Sequence, residues 1–216
     1  MELYEAMSTC RAVRRLRPDP IPDALLDRLL QAAAWAPTGG NVQPWRVVLV
    51  RSPTLKQSLA ELYSRQWSAY SKEVRKNLAP LPESRRAPHE RTLAAGDYLA
   101  SHFGETPVIA VFCFDPAQMA ITDEGLGRPS VVGGGSVYPA VQNFLLAARA
   151  EGLGCVLTTL LCQCEAEVKS LLAIPPQWGT CAAIPLGYPA SKGHGPLTRK
   201  SVDKLAFRDR WGTDLR

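Results

Sequence analysis

One domain that mixes helices with buried strands is what this sequence predicts, and three patterns carry that expectation. Apolar residues recur at helical spacing from Pro22 to Trp35, where Leu25, Leu26, Leu29, Leu30 and Ala33 share a face. Short apolar runs rich in β-branched residues read as buried strands: RVVLV (46–50), TPVIAVFCF (106–114), CVLTT (155–159) and TCAAIPLGYP (180–189). Between the helix and the first strand lies APTGGNVQPW (36–45), a connection with no core-forming content. Pro37 and Pro44 bias their preceding residues away from helical geometry. Gly39 and Gly40 let another body approach the main chain, and Thr38, Asn41 and Gln43 add hydrogen-bonding side chains. The loop is either a plain helix-to-strand connection or one wall of a site for a flat ligand rich in hydrogen-bonding groups.

A chain of 216 residues with 46% apolar and 21% charged residues has ample core for a single domain, 1–216. No apolar run approaches bilayer length, and MELYEAMSTCRAVRR lacks the order of a signal peptide. The expectation is a soluble cytoplasmic protein without a membrane partner. Cys10, Cys113, Cys155, Cys162, Cys164 and Cys181 contain no CxxC pair and read as free thiols. His89, His102 and His194 show no metal-ligand spacing, so no metal site is expected.

The net charge of +5 is unevenly spread. Residues 51–91 carry nine Lys/Arg against four Asp/Glu and residues 192–216 seven against three, whereas 92–191 carry three against eight. The basic runs lack a nucleic-acid recognition pattern, which favours small phosphate-bearing partners over nucleic acid.

In chain order, residues 2–9 suit a first helix, and CRAVRRLRPDPIP follows with Arg11, Arg14, Arg15 and Arg17. A helical turn puts the first three on one face, whereas an extended backbone sets Arg11 opposite Arg14. Guanidinium groups on one face repel unless an anion lies between them, and Arg forks suit phosphate. The alternative is a solvated basic segment.

Pro53 opens a longer helix with Leu55, Leu59, Leu62, Tyr63, Trp67, Tyr70 and Val74 in line. Residues 67–92 read as a surface excursion or lid, with a short helix from His89 to Phe103 bringing the chain back. A mixed loop, 115–135, leads to a helix from Ser136 to Glu151 that is apolar nearly all round and so should be buried, between subunits if anywhere. A short helix, Cys164 to Leu172, precedes the fourth strand. The tail from Lys192 carries Leu197, Val202, Leu205, Phe207 and Trp211, spacing that suits packing on another subunit.

GxGxxG, GxxxxGK[ST] and GxSxG patterns are missing in the required contexts, which leaves no acid, base or nucleophile constellation. Such an enzyme delegates its chemistry to a cofactor. No side chain is singled out as an essential acid or base.

The order CRAVRRLRPDPIP, Leu-rich helix, APTGGNVQPWRVVLV, then GGGSVYPAVQNFLLAARAEGLGCVLTT, LGYP and GPLTRKSVDKLAFRDRW resembles the nitroreductase-like flavoprotein family. The likeness covers roughly residues 1–50 and 106–211 and is weaker over 51–105. It implies an α+β fold, a mixed central sheet flanked by helices, and an intertwined homodimer with two FMN at its interface. It implies that Arg11 and Arg14 hold the FMN phosphate, with the Ala12 backbone at the same end. Pro37, Thr38, Gly39, Asn41 and Gln43 would contact the flavin, the first three from the partner chain. Leu157, Thr158 and Thr159 match the segment along the flavin ring, and Arg199 matches a late basic residue at the phosphate or ribityl end. Cys10 and Ala12 depart from the family's commoner Arg and Ser, a loss for which Arg15 or Arg199 would compensate. The activity implied is hydride transfer from NADH or NADPH to an electron-poor acceptor such as a nitroaromatic or quinone. The alternatives are a dehalogenase, a flavin-fragmenting oxygenase, or a non-catalytic flavin-binding protein.

Overall fold

The computed structural model describes residues 1–216, which build six α-helices and four strands. Helix α1 (Leu3–Thr9) is followed by an irregular basic segment and by α2 (Asp23–Ala34), which buries Leu26, Leu29 and Ala33. The strand β1 (Trp45–Val50) leads into α3 (Pro53–Leu78). Ser52 caps α3, its side chain accepting from the Leu55 N–H, and Pro53 occupies the first turn, where its missing N–H costs nothing. Helix α4 (Glu83–His102), β2 (Val108–Phe114), α5 (Tyr138–Ala150), β3 (Gly154–Cys155), α6 (Glu165–Leu172) and β4 (Gly179–Gly187) complete the chain. No helix is long and apolar enough to cross a membrane.

The sheet runs β1-β2-β4-β3 and is antiparallel at every pairing, with Val48 opposite Val111 and Val111 opposite Ala183. The α+β class therefore holds, while the mixed sheet is corrected for the single chain. The reason is the α3–α4 hairpin: two long helices return the chain to the end of β1 it left, and Val50 pairs with Ile109 at the start of β2. Alternation across the pleat then splits β2 between two cores. Val108, Ala110 and Phe112 pack with α2 and α5, while Ile109, Val111 and Cys113 pack with α3, α4 and α6. A strand covered on both faces shows no polar alternation, which explains the unbroken run VIAVFCF.

Two elements differ from expectation. Instead of a short helix from His89, α4 begins at Glu83 and runs through Pro88. Pro88 lies only six residues in, so it removes one ladder bond near the end and does not divide the helix. The stretch 67–92 becomes the outer half of the hairpin, with Ser71 and Leu78 buried. Trp67 lies on Gly96, and its indole N–H donates to Asp97 at 2.9 Å. The strand expected over CVLTT is regular only at Gly154–Cys155, with a separate bridge from Thr158 to Ala183. The other face of α5 lines a shallow apolar groove with Met1, Leu3 and Trp35, and the tail leaves Val202, Leu205 and Trp211 exposed.

Candidate functional site

The basic segment is neither helical nor a regular strand. It is threaded across the edge of the sheet by main-chain bonds: Val13 N–H donates to Cys155 O at 2.9 Å, and Arg17 N–H to Tyr188 O at 2.8 Å. Gly154 and Gly187 make this approach possible. A side chain at Gly154 would meet Val13 at 2.7 Å, and one at Gly187 would meet Pro107 at 2.9 Å and Leu16 at 3.1 Å. Val13 turns inward at this edge, and Arg11 and Arg14 turn to a common cavity of about 470 Å³.

That cavity also takes in Ala12, Leu157, Leu197 and Arg199, with Cys10, Gln142, Leu145 and Cys155. Segments far apart in sequence thus deliver three guanidinium groups to one place. None of the three belongs to any of the molecule's ion pairs, which involve Arg17, Arg28, Arg51, Arg65, Arg75, Arg86 and Arg128. Converging cations with no carboxylate among them form a receptor for a compact anion. Arg15 does not join them. Its guanidinium lies 3.9 Å from the centre of the Tyr98 ring, so of the two compensating residues expected, Arg199 is at the cavity and Arg15 is not. Arg17, paired with Asp19 at 3.3 Å and exposed, is also elsewhere. Cys10 is half-buried with its thiol pointing at Leu145 O, and burial pushes that thiol up against the opposing Arg149 charge.

Leu157, Thr158 and Thr159 form a partition. Leu157 faces the guanidinium cavity, and Thr159 faces a second cavity of about 570 Å³. Thr158 between them is fixed by two main-chain bonds with Ala183, at 2.9 and 2.8 Å.

Pro37, Thr38, Gly39, Asn41 and Gln43 do not reach the guanidinium cavity within one chain. Their loop docks at the start of α5, where the Gly39 N–H donates to Ser136 Oγ at 3.0 Å. The Thr38 hydroxyl accepts from the Gln43 N–H, and the Gln43 amide donates to both Asn41 oxygens. Gly40, Asn41 and Gln43 hold φ of 58°, 55° and 53°. Gln43 is unusual there, since the left-handed region is costly for a side chain of that size. The loop is therefore held in one tight, exposed conformation by its own side chains.

Sequence reasoning missed His194. Its ring is buried, Nε2 donates to Leu153 O at 2.8 Å, and Nδ1 has no partner. Beside it the Gly195 N–H donates to Thr9 O, and Arg149 donates to the Thr9 hydroxyl at 2.9 Å. The imidazole and the Gly195 N–H thus tie the segment carrying Leu197 and Arg199 to the start of β3 and the end of α1, three walls of the cavity. One histidine therefore lies beside the site. Burial lowers its pKa, aided by Arg149 and Arg11. No local motif marks it; only the GHG context hinted at a close approach.

Residues 8–188 match the nitroreductase family model. The chain is 32% identical over 203 residues to a 5,6-dimethylbenzimidazole synthase of Rhodobacter capsulatus, covering 92% of this chain and 89% of that protein. It is 33% identical over 197 residues to an NADH dehydrogenase of Thermus thermophilus, covering 91% of each. The solved structure of oxidized iodotyrosine deiodinase bound to FMN and 3-iodo-L-tyrosine superposes with a TM-score of 0.73 at 22% identity, over 97% of this chain and 99% of that one. With a family model spanning most of its length and relatives matched nearly end to end, the chain belongs to the nitroreductase family.

Proposed function

We propose that the protein is an FMN-dependent oxidoreductase that takes hydride from NADH or NADPH and passes it to an electron-poor acceptor. The observation that carries this reading is the convergence of Arg11, Arg14 and Arg199, all free of carboxylate partners, on one cavity. Its volume of about 470 Å³ falls in the range of cofactor sites. Three unpaired guanidinium groups suit a phosphate of charge near −2, so the residues present fit FMN. Bound there, FMN would supply two-electron redox chemistry that no side chain of this chain offers.

The chain's own residues then divide the work. Arg11, Arg14 and Arg199 neutralise the phosphate, and Ala12 brings main chain to it. Leu157 covers the cofactor from the sheet edge, and the bonds between Thr158 and Ala183 keep the 157–159 backbone from yielding. The residues Pro37, Thr38, Gly39, Asn41 and Gln43 would reach a flavin from a second copy of the chain. The exposed Val202, Leu205 and Trp211 of the tail support that homodimer. A stable flavin-loaded monomer in sedimentation would count against it.

The test is the phosphate. Arg14→Ala removes one charge-assisted contact worth about 1.5–3 kcal/mol, roughly a tenfold to hundredfold loss of FMN affinity. Arg17→Ala, which leaves the cavity intact, should titrate like the native protein. Riboflavin should not distinguish the three. Equal FMN affinities for the two variants would refute the assignment.

Likeness to the dimethylbenzimidazole synthase, at nearly the same identity as to the NADH dehydrogenase, favours flavin fragmentation as a second reading. Reduction by NAD(P)H under nitrogen, then admission of air, separates them. An oxidoreductase recovers its flavin spectrum, whereas a fragmenting enzyme loses it.

A further inference from the structure

We propose that His194 is the positioning residue of the guanidinium cavity: by clamping the chain at residues 193–195 it presents Arg199 to the phosphate of the cofactor. This rests on the reading that FMN occupies that cavity, and it gives a role to a residue that acts only through another.

Beyond β4 little holds the chain in place. His194 is the only buried residue after Gly187. Pro189 bridges to Leu16, and the Ala190 N–H donates to Arg15 O at 2.9 Å. The ties that follow are those of His194 and Gly195, the ring to Leu153 O at 2.8 Å and the Gly195 N–H to Thr9 O at 3.3 Å. From residue 196 to residue 200 no main-chain N–H or carbonyl joins a main-chain bond, and all of these residues except the half-buried Leu197 are exposed. The Arg199 guanidinium donates only to the adjacent Thr198 carbonyl. Its place at the cavity is therefore inherited from the last anchor before it.

The clamp joins two fixed points. Leu153 is fully buried and its N–H donates to Ala148 O at 2.8 Å, while Thr9 ends α1 and receives Arg149 on its hydroxyl at 2.9 Å. Gly193, at φ 64°, makes the turn into the clamp, and the His194 N–H donates back to Lys192 O at 2.8 Å. The imidazole suits this task for a chemical reason. A carbonyl only accepts, so Nε2 carries the proton. Arg149 from α5 and Arg11 from the basic segment act on the ring, and no carboxylate does. Burial and these two charges lower its pKa, so the ring makes its bond uncharged. A lysine or arginine here would be a further cation among cations, and a leucine would fill the space without the bond.

Without the clamp, Arg199 would be gathered from a loose segment at each binding event, and that ordering cost is subtracted from its contact. The loss is bounded by what Arg199 itself contributes, about tenfold in FMN affinity. It falls on the phosphate alone, which separates positioning from general packing.

A double-mutant cycle, read by fluorescence titration of FMN and of riboflavin into the apo-protein, tests this. His194→Leu should weaken FMN binding about threefold to tenfold and leave riboflavin within about twofold. His194→Gln, whose amide donates from nearly the position of Nε2, should hold FMN affinity within about twofold of native. In an Arg199→Ala background His194→Leu should cost less than about twofold more, because the two residues act as one. If His194→Leu does not fold, His194→Asn, too short to reach Leu153 O, takes its place in the cycle. Additive losses, equal losses for FMN and riboflavin, no loss in the leucine variant, or no rescue by glutamine would overturn the proposal while Arg199→Ala still weakens FMN binding. No FMN binding by the native protein, or native affinity in Arg199→Ala, would instead refute the parent reading and take this proposal with it.

Discussion

Arg15 and Arg199 are interchangeable candidates in the sequence but not in the structure, and exchanging each for alanine measures the difference. Arg199 stands at the cavity with Arg11 and Arg14, and no acidic side chain competes for it. Arg15 lies over the Tyr98 ring at 3.9 Å, and the Ala190 N–H donates to its carbonyl at 2.9 Å, a bond that alanine keeps. A charge-assisted hydrogen bond contributes about 1.5–3 kcal/mol. Arg199 is exposed, so solvent screening puts it at the low end, about a tenfold loss of FMN affinity. Arg14, half-buried, should lose more. Arg15→Ala removes an exposed cation–π contact of about 0.5–1 kcal/mol, which lowers stability and leaves affinity alone. Fluorescence titration of FMN into each apo-variant reads affinity, and urea unfolding reads stability. The loss at Arg199 should shrink as salt rises. An FMN affinity for Arg15→Ala as weak as that for Arg199→Ala would refute the reasoning.

Two further outcomes follow from the packing. At Gly96 a Cβ would lie 2.1 Å from the Trp67 ring, which is held by Asp97. Gly96→Ala gains about 1 kcal/mol of helix propensity but overpacks by about 1–3 kcal/mol, so the urea midpoint should fall with the slope unchanged; a rise would show that the indole swings aside freely. His194 carries a folded-state pKa below its ordinary 6.5, because burial, Arg149 and Arg11 all oppose the proton. The unfolded chain therefore takes up that proton first, so the stability it confers is complete above that pH and is lost as the pH falls towards the folded value. The thermal midpoint of native protein should drop between neutral and mildly acid pH more steeply than that of His194→Gln; parallel profiles would remove His194 from the account.

The sequence by itself determined what is local. Helical spacing placed α2, apolar runs placed β1, β2 and β4, and Pro53 marked the start of α3. The resemblance added Arg11, Arg14, Leu157 and Arg199, which the fold brings to one cavity. What only the tertiary structure decided is non-local. Whether Arg11 and Arg14 face together depended on Gly154 and Gly187 admitting an extended segment across the sheet edge. Arg15 left the cluster because Tyr98, on a helix more than eighty residues away in sequence, offered its ring. The antiparallel sheet followed from where the α3–α4 hairpin set the chain down. His194 gained its place from the Leu153 carbonyl, and the roles of Thr158 and Thr159 separated because Ala183 pins the backbone between them. Local propensity reads from neighbours in sequence, whereas which side chains converge is set by contacts that chain order does not encode.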